Sequence, residues 1–143
     1  MILDIGCSTK KIEGAIGIDK LPVADICHDL EKYPWPVESE AFDLVNASHV
    51  MEHIKPWEFF GVMDECWRAL KMGGTMEIRT PFGAAYAFDP THCLLFQESS
   101  FYYLTPLVPT LYEIYKPKPW NIVSSERNME TLELKTVLQK VAA

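Results

Sequence analysis

Three aspartates lie at the ends of short apolar runs in the N-terminal part of the chain. Asp4 precedes Gly6 in the first run, Asp19 ends the second, and Asp29 follows the third. The runs have the composition and length of buried strands. In open α/β sheets, ligands bind at the carboxyl ends of the strands. The three carboxylates are therefore candidates for binding a polar ligand.

A second group is the string His49-x-x-Glu52-His53. The same pattern occurs in inverted zinc peptidases, where two histidines bind zinc and the glutamate is the base. Such a site requires both histidines on one continuing helix, whereas Pro56 follows closely and interrupts helix formation. We therefore expect no metal at this string, and we expect His53 to be a hydrogen-bonded core residue. A zinc hydrolase remains the alternative.

Hydrophobic patterning predicts the elements that position these residues. Apolar side chains at i, i+3 and i+4 spacing predict a helix that begins at Pro56 and ends at Gly73-Gly74. A short helix is expected over residues 97–103. The helix that begins at Pro56 has an apolar stripe, which we expect to pack into the core. The stripe consists of Trp57, Phe60, Met63, Trp67 and Leu70. The predicted strands cover residues 1–5, 15–18, 23–27, 42–47, 75–80, 120–126 and 131–141.

The lengths of the connections indicate the strand directions. The segment 48–74 is long enough for a right-handed crossover between parallel strands. Only residues 6–14 and 20–22 connect the first three strands, whereas a parallel crossover normally takes about a dozen residues. The first half of the sheet is therefore either trimmed or partly non-parallel. The last two strands are expected to form an antiparallel pair at the sheet edge.

Length and charge limit the classes of protein. The chain of 143 residues matches the size of one domain, so we expect a single domain over residues 1–143. A formal net charge of −7 with scattered basic residues disfavours nucleic acid as a partner. No apolar run is long enough for a membrane span, and the N-terminus lacks the layout of a signal peptide. We expect a cytoplasmic protein with no membrane partner.

The order of these pieces from Leu3 to about Tyr103 resembles a class I S-adenosylmethionine-dependent methyltransferase. Residues 3–8 are similar to the first motif of that family, in which a strand ends in an acid and a glycine-rich loop approaches the cofactor. The family usually has a second glycine where Ser8 stands. We expect Cys7, in the same loop, to be a buried thiol and not a nucleophile.

Two further motifs carry the resemblance. Gly17-Ile18-Asp19 resembles the second motif, whose acid accepts hydrogen bonds from the ribose hydroxyls. Asp19 follows Gly6 by 13 residues, whereas the dinucleotide fingerprint places its acid about 20 residues on, so an NAD site fits less well. Asp29 and Leu30 resemble the adenine-side segment, although Asp29 could instead cap the following turn.

The resemblance implies an α/β fold: a trimmed, Rossmann-like methyltransferase sheet, mainly parallel, with an antiparallel C-terminal edge. It implies S-adenosylmethionine as the cofactor, with Ala47 and Ser48 in the loop beneath the transferred methyl group. Residues 89–92 with Phe96 and Phe101 resemble a compact bacterial and phage subgroup. The expected cofactor-binding residues are Asp4, Gly6, Cys7, Ser8, Asp19, Asp29, Leu30, Ala47 and Ser48.

The implied reaction is methyl transfer to an unidentified acceptor. The acidic charge favours a small molecule, and a protein acceptor stays open. A base is needed only if the acceptor loses a proton, and His49 and His92 are the candidates. The alternative is a non-catalytic module that binds S-adenosylmethionine or S-adenosylhomocysteine, which Ser8 and the lost crossover helices favour. Whether a second copy of the chain completes the pocket as a homo-oligomer is also open.

Overall fold

Seven strands form one mixed sheet in the computed structural model, which describes all 143 residues. In chain order the strands are β1 (Ile2–Ile5), β2 (Ile16–Asp19), β3 (Ile26–Cys27), β4 (Phe42–Ser48), β5 (Leu70–Pro81), β6 (Trp120–Asn128) and β7 (Glu133–Lys140). Their spatial order is β3-β2-β1-β4-β5-β7-β6. The first five are mutually parallel, and β7 is antiparallel to both β5 and β6. The predicted fold class is confirmed.

The first half of the sheet is trimmed but entirely parallel. Two loops, residues 6–15 and 20–25, make the crossovers from β1 to β2 and from β2 to β3 without a helix. β3 is reduced to two residues, shorter than the predicted 23–27, because turns and bends occupy the residues before Ile26. Of the two alternatives for this region, the structure shows the trimmed one.

Three α-helices and three 3-10 turns complete the chain. The helices are α1 (Phe59–Ala69), α2 (Ala84–Ala87) and α3 (Pro109–Tyr115), and the 3-10 turns are Met51–His53, Pro56–Glu58 and Glu98–Leu104. The predicted short helix is the last of these turns, whereas α2 and α3 were not predicted. None of the helices has the length and apolar character that a membrane crossing requires.

The predicted helix is present, and all of the predicted stripe except Trp57 packs on the core, with Met63 and Leu70 buried and Phe60 and Trp67 half-buried. Trp57 is 76% exposed, whereas Phe59, Val62, Met63 and Cys66 are buried. The cause is the 3-10 turn at Pro56–Glu58, which has about three residues per turn and so shifts the phase of the side chains before α1 begins. The expectation that Trp57 packs into the core is wrong.

The helix also ends earlier than Gly73-Gly74. Leu70 takes extended backbone angles, φ −75° and ψ 143°, and begins β5 opposite Phe42. The glycine pair lies inside β5, where the pairing with β4 shifts register and Gly73 has φ +77°. Glycine therefore serves a strand irregularity here and does not cap the helix.

The C-terminal strands are antiparallel as predicted, but only β6 lies at the edge. β7 is inserted between β5 and β6 and buries Leu134, Thr136, Leu138 and Lys140 on alternate positions. The other sheet edge is the two-residue β3. Because β2, β1 and β4 are neighbouring parallel strands, their carboxyl ends lie side by side.

Candidate active site

Two cavities open at the carboxyl ends of β1, β2 and β4. The first has a volume of about 210 Å³, the second about 590 Å³, and Gly6 borders both. Of the predicted cofactor residues, the first cavity is lined by Gly6, Asp19, Asp29 and Leu30. The second is lined by Asp4, Gly6, Cys7, Ser8 and Ser48, together with His49. The structure thus brings together all the predicted cofactor residues except Ala47.

Gly6 is where the backbone turns out of β1 into the loop between the cavities. Its φ is +61°, and a Cβ at this position would lie 2.2 Å from Cγ2 of Val50. Only glycine fits this conformation and this contact. Ser8, two residues on, also has a positive φ, +49°. The loop therefore keeps a left-handed residue where the related family has glycine, at a conformational cost to the serine.

Asp4 holds the loop after β1 in place. The side chain is 3% exposed, Oδ2 accepts a hydrogen bond from the backbone N–H of Ile12 at 2.9 Å, and Oδ1 accepts one from Nδ2 of Asn46 at 2.9 Å. Asn46 in turn accepts a hydrogen bond from Nη1 of Arg79 at 3.3 Å. Asn46 was not predicted from the sequence, although a polar residue between the apolar Val45 and Ala47 was a usable signal.

The side chain of Asp19 connects the loop after β1 to the loop after β2, beside the first cavity. Its Oδ2 accepts a hydrogen bond from the N–H of Ser8 at 2.9 Å, and Oδ1 accepts one from the N–H of Leu21 at 3.0 Å. An ionised carboxylate has about four acceptor positions, so about two remain for a ligand. The carboxylate can therefore bind a pair of hydroxyl groups while it orders the loop.

Asp29 makes the turn contact that the sequence left as an alternative, and it also lines the first cavity. Its Oδ1 accepts a hydrogen bond from the N–H of Glu31 at 2.9 Å, which is an Asx turn. The other oxygen lies 3.9 Å from Nζ of Lys20, another cavity residue. Oδ1 of Asp29 thus stabilises the turn, and Oδ2 faces the Lys20 ammonium group at the cavity.

Leu30, beside Asp29, is fixed from behind by a buried polar contact. The carbonyl of Leu30 accepts a hydrogen bond from Nε1 of Trp35 at 2.9 Å, and the N–H of Trp35 donates to Oε2 of Glu65 at 2.8 Å. Two nitrogens of Arg68 each lie 2.9 Å from the Glu65 carboxylate. Burial favours a higher pKa for Glu65, but the hydrogen bonds from Arg68 and Trp35 hold it below its ordinary value. The charged carboxylate therefore anchors this wall to α1.

Ala47 and Cys7 differ in their access to the cleft. Ala47 is fully buried inside β4 and lines neither cavity, because alternate strand residues point to opposite faces and Ser48 takes the cleft side. We therefore remove Ala47 from the cofactor residues. Cys7 is 6% exposed, and burial, with the charges of Asp4 and Asp19, raises the pKa of its thiol. The expected burial of Cys7 is confirmed, and the raised pKa agrees with the prediction that its thiol is not a nucleophile.

His49 lies directly after β4 and borders the second cavity. Its backbone N–H donates to the carbonyl of Arg79 at 2.8 Å, and its φ is +54°. Nδ1 lies 3.5 Å from Oε2 of Glu52, and Nε2 lies 2.6 Å from Oε2 of Glu133. The contact with Glu52, reinforced by Glu133, raises the pKa of His49, although partial burial opposes the shift. A proton on this ring is stabilised by two carboxylates.

His53 and His92 lie elsewhere than predicted. The 3-10 turn Met51–His53 buries Met51 and Glu52 and leaves His53 exposed at the first cavity, so the expected core position of His53 is wrong. His92 lines neither cavity, and its side chain is only 9% exposed. The two rings contact edge to face, with centroids 4.8 Å apart. His49 precedes the turn, so His49 and His53 do not share a helix.

Comparison with known proteins agrees with this geometry. Residues 7–78, half of the chain, match the family model described as "Methyltransferase domain". No curated protein matches the chain in sequence.

Solved structures share the fold at low sequence identity. A SAM-dependent methyltransferase from Archaeoglobus fulgidus has 16% identity and a TM-score of 0.66 over 97% of this chain and 85% of its own. A SAM-dependent methyltransferase from Methanosarcina mazei has 16% identity and a TM-score of 0.66, covering 99% and 92%. The 1,6-didemethyltoxoflavin-N1-methyltransferase of Burkholderia thailandensis, with bound 1,6-didemethyltoxoflavin and S-adenosylhomocysteine, has 14% identity and a TM-score of 0.67, covering 99% and 71%.

Proposed function

The chain belongs to the methyltransferase domain family, and we propose that it transfers a methyl group from S-adenosylmethionine to a small-molecule acceptor in the second cavity. The observation that carries the proposal is the meeting of Gly6, Asp19 and Asp29 around one cavity at the strand ends. The Burkholderia relative in fold, a methyltransferase of a small molecule, supports an acceptor of that size.

In this proposal the first cavity takes the adenosine part of the cofactor. Asp19 accepts hydrogen bonds from the ribose hydroxyls with the acceptor positions that the loop leaves free. Asp29 and Leu30 take the adenine side, and the backbone at Gly6, which borders both cavities, lets the methionine part pass into the second cavity. Asp4 keeps the loop in the conformation that this path requires.

The acceptor then lies near Ser48 and His49 in the second cavity. Methyl transfer is an in-line displacement, so alignment of the acceptor with the sulfonium carbon supplies most of the rate enhancement. If the acceptor loses a proton, His49 receives it, and Glu52 and Glu133 stabilise the resulting charge. We do not propose His92 as the base, because it lines neither cavity.

The test combines binding and turnover. Calorimetry with S-adenosylmethionine and S-adenosylhomocysteine measures cofactor affinity, and release of S-adenosylhomocysteine from a panel of small acceptors measures transfer. We expect His49→Gln to lower turnover roughly 100-fold, within the range of general-base catalysis, while cofactor affinity is retained. His28→Gln is the matched control, since His28 lies outside both cavities. Cofactor binding without turnover on any acceptor would support the binding-module alternative instead.

Three finer expectations stay predictions. Completion of the cleft by a second copy of the chain is checked by the mass in solution with and without cofactor. The cytoplasmic location and the bacterial or phage subgroup are not needed for the proposed chemistry.

A further inference from the structure

A cluster of three metal-binding side chains lies behind the first cavity. Glu52, His53 and His92 each present one ligand atom, and these atoms lie within 4.8 Å of one another. Ligand atoms around a tetrahedral zinc ion are roughly 3.3 Å apart, given bonds of about 2.0–2.1 Å. Modest side-chain rotations would close that difference. Two histidines with one carboxylate form a ligand set that zinc and iron sites use.

Glu52 is the unexplained member of this cluster. Its side chain is 1% exposed, and its Oε1 has no hydrogen-bond partner. Oε2 has only His49, whose Nδ1 is 3.5 Å away. A buried carboxylate oxygen without a partner is rare and costly, and coordination of a cation is one of the few ways to satisfy it.

The hydrogen bonds of both rings leave the same nitrogen free. Nδ1 of His92 lies 2.6 Å from the carbonyl of Tyr86, which can only accept, so this nitrogen carries the hydrogen. The Thr91 hydroxyl donates to Oδ1 of Asp89 at 2.7 Å, so it accepts from Nδ1 of His53 at 3.1 Å. Each neutral ring thus keeps a lone pair on Nε2. Partners of this kind on the second nitrogen orient histidines that bind metals.

The backbone holds the two halves of the cluster together without a metal. The carbonyl of Glu52 accepts hydrogen bonds from the N–H groups of Cys93 at 2.8 Å and Leu94 at 3.2 Å. The segment that carries His92 is therefore docked on the turn that carries Glu52 and His53. His53 is exposed at the first cavity, which gives an ion a path into the cluster.

We propose that Glu52, His53 and His92 bind one divalent transition-metal ion of the zinc type. This site goes beyond the proposed methyl transfer, in which His53 and His92 have no role and Glu52 acts only through its contact with His49. It also differs from the inverted peptidase arrangement, which would use His49 and His53 as ligands and Glu52 as the base. The proposal replaces the expectation of no metal that the sequence string gave, because His92 comes from a distant segment.

The test is titration of chelator-treated, cofactor-free protein with zinc chloride in a calorimeter, and with cobalt chloride by absorption spectroscopy. We expect one zinc per chain and a rise in melting temperature on binding. Glu52→Gln, His53→Gln and His92→Gln should each weaken zinc affinity at least roughly tenfold. His28→Gln should leave zinc affinity within about threefold, because His28 is not one of the proposed ligands.

Three results would overturn the proposal. One is wild-type protein that takes up no zinc at micromolar concentration. Another is an equal loss of affinity in His28→Gln, which would indicate surface binding. The third is loss in His49→Gln with retention in His92→Gln, which would indicate the peptidase arrangement. His53→Gln changes an exposed side chain, so it tests the site even if Glu52→Gln fails to fold. S-adenosylhomocysteine affinity and turnover, both measured before zinc is added, report separately on the proposed cofactor site and on the proposed methyl transfer.

Discussion

Replacing Asp19 with alanine separates the role of this carboxylate in the cofactor site from its role in the loop. The carboxylate accepts hydrogen bonds from the N–H groups of Ser8 and Leu21. Each such bond contributes about 0.5–1.5 kcal/mol net, so the loop loses roughly 1–3 kcal/mol of stability in Asp19→Ala. At this chain length, each kcal/mol lowers the melting temperature by about 2–4 °C.

The affinity for the cofactor should fall in addition to the stability of the loop. Hydrogen bonds from the ribose hydroxyls to a charged acceptor contribute about 1.5–3 kcal/mol, which corresponds to a rise in Kd of roughly 10- to 150-fold. Calorimetry with S-adenosylhomocysteine measures that rise, and thermal unfolding measures the loss of stability.

Asp25→Ala is the matched control for this measurement. Asp25 also accepts a hydrogen bond from a backbone amide, that of Gly17 at 2.8 Å, and one from Nζ of Lys11 at 2.9 Å, but it lines neither cavity. We expect Asp25→Ala to lower the melting temperature by a comparable amount and to leave the Kd for S-adenosylhomocysteine nearly unchanged. Equal losses of affinity in the two variants would refute a direct ribose contact and assign the effect to loop disorder.

Three further predictions test the loop, the wall behind Leu30 and the face of α1. Ser8→Gly removes a left-handed serine and should add about 0.5–1 kcal/mol of stability with equal or tighter S-adenosylhomocysteine binding; a tenfold weaker Kd would mean that the hydroxyl contacts the ligand. Glu65→Gln should cost about 2–3 kcal/mol in urea unfolding at neutral pH. Because the pKa of Glu65 is lowered in the folded state, the extra stability of the wild type over Glu65→Gln is lost as pH falls through that pKa. Unfolding free energies of the two proteins that still differ at acidic pH would contradict a stabilising role of the charged carboxylate. Met63→Ala should cost about 2–5 kcal/mol and Trp57→Ala under about 0.5 kcal/mol, so similar losses would contradict the observed burial.

The cofactor side of the cleft could be predicted because its signals are local. Asp4, Gly6 and Asp19 each stand at the end of a short apolar run, and parallel pairing brings the ends of β1 and β2 to the same level. No side chain from a distant segment is needed to place them. Patterning within single runs therefore located the strands and the acids at their ends, whereas the fold class came from the resemblance to the methyltransferase family. The position of Ala47 outside both cavities was not foreseen, because the motif gave its place in the chain but not the face of β4 on which it lies.

The histidines could not be placed in the same way, because their positions depend on contacts between distant segments. His49 is held by Glu133 from β7, and His92 reaches His53 only because the backbone of residues 93–94 docks on Glu52. Neither contact has a period or a spacing that a single sequence displays. The string His49-x-x-Glu52-His53 therefore reads as one unit in the sequence, yet the fold divides it. His49 lies at the second cavity, whereas Glu52 and His53 lie beside His92.

Glu52 contacts His49 on one side and belongs to the cluster with His92 on the other. A charge on His49 and a charge on the cluster therefore interact electrostatically through the buried carboxylate of Glu52. Zinc bound by the cluster should accordingly alter the pH dependence of methyl transfer without displacing the cofactor. Turnover profiles recorded with and without zinc that superimpose, in protein shown to hold the ion, would rule out this coupling.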